Sequence, residues 1–260
     1  MKLADLLLLA LIGITVLLLG VDAISGGAVG ALLDAHLRGV AAQAGTGLGW
    51  LGLGLSPFLL IALLSALYGR FRGLPQPGSK LLRRLIALFD AISLTVGDMV
   101  RWAALGLVLV TGLIVVQRYV FGVSITKLQE SVIYLHAILF LLSSAATLYH
   151  GGHVRVDILY TRLSERGKAW TDLLGVYLAL IPMCWLILMT SESYVGGAWR
   201  ILERSRESDG LPLVFLLKTA IPVFAVMMIA QGFALASRAA LTLSGETPPP
   251  VALDDAEHEL

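Results

Sequence analysis

The chain is poor in the groups that usually carry chemistry. It has one cysteine in 260 residues. Neither a disulfide framework nor a thiolate metal site can be built within it, and Cys184, set in an apolar run, reads as a small core residue. Charged residues make up 14% and the formal net charge is +1, against about 25% charged in soluble domains. So small a positive balance excludes a nucleic-acid binder, and so little charge excludes a disordered chain. What is present is apolar: 57% of residues are hydrophobic and mean hydropathy is +0.85. That much apolar surface cannot be hidden in one small globule, so an ordinary soluble enzyme is excluded and lipid is the expected solvent.

A span needs about 20 mostly apolar residues. Six stretches fit: Leu6 to Gly20, Gly49 to Tyr68, Trp102 to Phe121, Ser131 to Tyr149, Leu173 to Met189 and Leu213 to Leu235. Lipid offers no partner for a loose N–H or C=O, so the expected fold class is an all-α integral membrane protein with six transmembrane helices. Arg70, Arg72, Lys80, Arg83 and Arg84 lie between spans two and three, and Arg155, Arg162, Arg166 and Lys168 between spans four and five. The positive-inside rule makes both connections, and both termini, cytoplasmic. Lys2, the Leu6 to Leu19 run and Val21-Asp22-Ala23 also have the outline of a signal peptide. A single Lys and the presence of Asp5 favour a retained span.

Punctuation divides the chain further. Residues 1–72 form an N-terminal hairpin, and the Pro- and Gly-rich segment 73–79 is a hinge. In residues 80–98, Leu82, Leu85, Ile86, Phe89, Ile92 and Val96 recur at helical spacing with Lys80, Arg83, Arg84 and Asp90 on another face, the pattern of an amphipathic interfacial helix preceding span three. Residues 99–240 hold four spans and residues 241–260 an acidic tail. Thr126 and Gln129 have capping-box spacing, with Glu130 in the first turn. Pro212 suits the start of span six, Pro182 and Pro222 should loosen their helices, and Gly45 and Gly49 form a weak G-x-x-x-G.

The span middles hold almost no ionisable groups, where a carrier or pump would keep them. Only His136 lies well inside a span. His136 and His150 share one helix, with no histidine in another span to complete a haem, and His150 with His153 lacks further ligands for a metal. No span carries a nucleophile with a base, or an H-E-x-x-H pair. No cofactor, metal or catalytic residue is expected. The densest polar cluster is His153-Val154-Arg155-Val156-Asp157, which by itself also reads as a solvated turn.

From about Lys80 to Ala240 the sequence resembles the small membrane subunit of the tripartite ATP-independent periplasmic (TRAP) transporters, the DctQ family. The matching residues are Gln117-Arg118-Tyr119-Val120-Phe121, Lys127-Leu128-Gln129-Glu130, His153 to Asp157, Leu163, Gly210-Leu211-Pro212, Lys218, Ile221-Pro222 and Gln231. The resemblance implies a bacterial inner-membrane scaffold for a large TRAP membrane subunit. A periplasmic substrate-binding protein would deliver an organic acid or related solute for sodium-coupled uptake, with no substrate site on this chain. It implies that Arg118, Gln129 and Glu130 order the outer ends of spans three and four, that His153, Arg155 and Asp157 fix the inner connection, and that Lys218 and Pro222 belong to the structural or subunit-interface set. Two features depart from the family pattern: the hairpin 1–72, and Lys127 where an aromatic residue is expected. The rival readings are a self-contained channel or carrier, and a membrane anchor subunit of a redox complex.

Overall fold

A computed structural model describes residues 3–25, 28, 32, 35–37, 56–152 and 160–251. Among them all regular structure is helical. Helix α1 is Leu3–Ile24, a 3₁₀ turn at Ser56–Leu59 leads into α2 (Leu60–Arg72), and α3 runs over Gln76–Val120. Then come α4 (Thr126–Tyr149), α5 (Glu165–Gly175), a π-helical turn at Val176–Leu180, α6 (Ile181–Ile201) and α7 (Val214–Leu243).

Among the described residues, four helices are long and apolar enough to cross a membrane: Gln76–Val120, Thr126–Tyr149, Glu165–Ile201 and Val214–Leu243. The first two expected spans are not among them. Helix α1 is 22 residues long, with Leu3–Thr15 as its described apolar segment, and α2 has 13 described residues, so six spans are not confirmed. Residues 49–55, which the second expected span needs, lie outside the described residues, as do Gly45 and the acidic tail from Asp254.

The hinge is narrower than the prolines suggest. Helix α2 stops at Gly73, whose positive φ of 74° only glycine adopts without cost. Helix α3 resumes at Gln76 with Pro77 inside its first turn, where a missing N–H is harmless. From there it continues for 45 residues. The amphipathic segment and span three are therefore one helix, because nothing between Ser79 and Val120 breaks the i→i−4 ladder.

Contacts divide the chain into two compact units, each drawing on all four long helices. One comprises Met1–Gly52, Thr95–Ser143 and Leu188–Val223, and the other Leu53–Leu94, Ser144–Ile187 and Phe224–Leu260. In the second unit Ala62 and Ala66 of α2 meet Leu82 and Ile86 of α3, Leu173 of α5, Val176, and the alanine-rich end of α7. In lipid, helices gain little from burying apolar surface against one another, so close approach of small residues supplies the packing. The π turn stands directly before Pro182, which has no N–H to return to the preceding turn.

Candidate functional site

In the first unit, polar side chains pin helix ends. Glu130, in the second turn of α4, accepts the Leu211 N–H at 2.6 Å through one carboxylate oxygen and the Ser205 hydroxyl through the other. Lys127 pairs with Asp209 at 2.7 Å. The turn between α6 and α7 is thus held from both ends by the start of α4. Gly210 fits because a β-carbon there would fall 2.4 Å from the Ser205 β-carbon and 2.8 Å from Glu130 Oε1. The turn begins where α6 closes at Leu202, a non-glycine residue at φ 47°. The Glu203 N–H reaches the Ala198 carbonyl at 2.9 Å and the Leu202 N–H reaches Trp199, the pairing of a Schellman end. Burial of the Leu202 side chain with Ala198 and Phe215 offsets the backbone cost of about 1 kcal/mol.

Lys218 in α7 contacts Glu203 at 2.5 Å and sits 3.8 Å from the Tyr194 ring centroid. It is largely buried, so its charge is neutralised by one partner and solvated by the other. Trp199 stacks edge-on against Phe215 and donates to the Thr219 hydroxyl at 2.8 Å.

A second constellation lies in the other unit. Arg238 of α7 donates through both terminal nitrogens to Asp90 of α3, at 3.2 and 2.5 Å, with side chains only 10% and 13% exposed. The Gln231 amide donates to the same carboxylate at 3.1 Å and accepts from the Ser93 hydroxyl at 2.8 Å. The Arg238 guanidinium lies 5.6 Å from the Tyr149 ring centroid and donates to the Pro249 carbonyl. Asp90 and Ser93 are three apart on α3, and Gln231 and Arg238 seven apart on α7, so each pair shares a helix face. Beside them opens a cleft of about 320 Å³ walled in part by Tyr149, His150, Tyr160 and Asp172. Tyr160 donates to Asp172 at 2.9 Å, and Lys168 pairs with Glu165.

The N-terminal addition is attached here as well. The Tyr177 hydroxyl, projecting from the π turn, accepts the Leu63 N–H at 3.2 Å and donates to the Leu59 carbonyl. It thus ties the first turn of α2 to the π turn through two hydrogen bonds.

A family profile described as "Tripartite ATP-independent periplasmic transporters, DctQ component" matches residues 107–242, just over half of the chain. The chain belongs to the DctQ family. No curated protein and no solved structure matches it. The DctQ match begins within α3 and ends within α7, so Glu130, Lys218, Gln231 and Arg238 fall inside it and Asp90, Ser93 and α2 outside. DctQ is a transporter component, not an enzyme class.

The residues singled out from sequence are distributed unevenly in this DctQ chain. Glu130 is brought to the α6–α7 turn and Lys218 to Glu203, whereas Arg118 is exposed at the end of α3 with no ion-pair partner among the described residues. Gln129 does not close a capping box. The Ile125 carbonyl receives the first amides of α4, and the Gln129 side chain donates to Ser124 at 2.8 Å. Thr126 is already helical, so the box has no Ncap residue to work from. Pro222 lies inside α7, which continues past it. His153, Arg155 and Asp157 lie outside the described residues. His136 stacks against Phe140, and no group of three His, Cys, Asp or Glu side chains gathers among the described residues.

Helical spacing puts Asp90 with the basic residues on a polar face, whereas it is largely covered and paired with Arg238. Two opposite charges isolated in apolar runs were the available signal. The Tyr177 bridge left no such signal, since tyrosine in an apolar helix is unremarkable.

Proposed function

We propose that this chain is the small membrane subunit of a bacterial inner-membrane importer, a fixed scaffold for the large TRAP membrane subunit. In that complex a periplasmic binding protein delivers an organic acid or related solute for sodium-coupled uptake. The family match carries the reading. The two polar constellations support it, because both tie helices to one another by several directional bonds, and a scaffold must keep its shape while its partner moves. The basic clusters at Arg70 to Arg84 and Arg162 to Lys168 favour cytoplasmic placement of both termini.

Arg118 at the end of α3 and Gln129 at the start of α4 are exposed on the outer side in this orientation and are assigned to the subunit interface. Glu130, Lys218 and Pro222 shape that end from within. His153, Arg155 and Asp157 are assigned to the inner connection.

Reconstitution tests this directly. Liposomes holding the chain with its large subunit, supplied with binding protein and an inward sodium gradient, should accumulate solute. Liposomes holding the chain alone should not, and uptake by the chain alone would overturn the scaffold reading. Arg155→Glu and Asp157→Arg should each reduce recovery of the two-subunit complex, and normal assembly and transport by both variants would remove those residues from the interface.

A further inference from the structure

Helix α2 is packed inside out for a water-soluble helix. Ala62, Ala66 and Gly69, spaced on one face, are its buried residues. Leu60, Leu64, Leu67, Tyr68 and Phe71 occupy another face and are exposed, Phe71 by 84%. Small residues inward and large apolar residues outward is the arrangement expected of a helix whose outer face meets hydrocarbon. The C-terminal end of this helix then lies at headgroup depth.

Cations collect at that end. Arg70 and Arg72 flank Phe71, and after the three-residue turn at Gly73 to Pro75 come Lys80 and Arg84 in the first turns of α3. No acidic residue occurs from Leu60 to Phe89. Arg83 is engaged by Glu246 at 3.0 Å and by the Thr247 carbonyl. Arg70, Arg72, Lys80 and Arg84 are exposed and have no ion-pair partner among the described residues.

We propose that the turn between α2 and α3 is a binding site for anionic phospholipid headgroups of the cytoplasmic leaflet. Arg70, Arg72, Lys80 and Arg84 contact the phosphate, and Phe71 and Leu67 enter the acyl region below it. Guanidinium groups suit phosphate because two N–H donors meet two oxygens in one plane. The site lies outside residues 107–242, so it adds to the family core. Its assignment to the cytoplasmic leaflet rests on the orientation proposed above.

The test uses the purified full chain in detergent, titrated with phosphatidylglycerol or phosphatidylcholine and read by native mass spectrometry. Phosphatidylglycerol should bind preferentially, and the preference should shrink in about 0.5 M salt, where screening shortens to a few ångströms. Each cation contributes roughly fivefold to attraction for an anionic lipid. Arg70→Gln/Arg72→Gln and Lys80→Gln/Arg84→Gln should therefore each weaken binding by roughly 25-fold. Phe71→Ser, at an exposed position outside the packed core, should weaken both lipids. Equal loss from Arg162→Gln/Arg166→Gln would mean general charge attraction and overturn the site. A preference that emerges only after removal of residues 252–260 would make the acidic tail its occupant, also overturning the proposal. Lipid preference in detergent does not depend on orientation, so its failure tests the site alone. Orientation is tested separately with Gln76→Cys in a Cys184→Ala chain, which an impermeant maleimide should reach only from the inner face.

Discussion

Replacing Asp90 by leucine removes the carboxylate that receives two nitrogens of Arg238 and the amide of Gln231. The guanidinium cannot reach water easily, since its side chain is only 10% exposed. Removing one member of a buried ion pair costs about 3–5 kcal/mol, because the remaining charge keeps its desolvation penalty and loses its partner. The Tyr149 ring and the Pro249 carbonyl return part of this, so the lower half of that range is expected for Asp90→Leu. Arg238→Met leaves a carboxylate that still accepts from Gln231, and should cost a similar amount. The double variant leaves no uncompensated charge. Its cost should fall to about 1–3 kcal/mol, that of the unmatched Gln231 amide. At about 2–4 °C per kcal/mol, each single variant should unfold roughly 10 °C lower than the parent in the same detergent, and the double variant should recover much of that loss. A double-mutant cycle on unfolding midpoints measures the coupling. Single variants within about 2 °C of the parent, or a double variant as damaged as the sum of the singles, would refute the assignment of the pair as a buried, mutually compensating one.

Three other outcomes follow from the geometry. Glu130→Ala strands the Leu211 N–H and the Ser205 hydroxyl; loss of a charge-assisted bond costs about 1.5–3 kcal/mol, so amide exchange in residues 203–213 should accelerate by roughly tenfold or more, and unchanged exchange there would contradict the clamp. Gly210→Ala should produce the same acceleration by steric conflict with Ser205 and Glu130, measured the same way. Tyr177→Phe removes the hydroxyl between Leu59 and Leu63 at a cost of about 1 kcal/mol. Amides at the start of α2 should then exchange roughly fivefold faster, with those of α7 unchanged.

The composition made the membrane legible, and the spacing of apolar runs located the four long helices. Family membership was also legible, through Gln117 to Phe121, Lys127 to Glu130 and the Gly210-Leu211-Pro212 turn, and the match over residues 107–242 shows it. Polar pairing was not. Helical spacing reports which residues share a face but not what that face meets, so Asp90 was grouped with Lys80, Arg83 and Arg84 although a partner helix covers it. The capping-box spacing at Thr126 misled for a related reason. A glutamine three residues along closes a box only if the first residue is nonhelical, and Thr126 is inside α4. Lys127, where the resemblance leads one to expect an aromatic residue, pairs with Asp209.

The sequence by itself determined the solvent and the helical class, since both depend on sums over long stretches: apolar length against bilayer thickness, and backbone groups that must pair within their own segment. Tertiary structure decided which rare polar groups meet. The Asp90–Arg238 pair joins residues 148 apart and the Glu130–Leu211 bond residues 81 apart. In an apolar surrounding an unpartnered charge is costly, so each of these groups needs a partner, but only the packing of the helices selects which one.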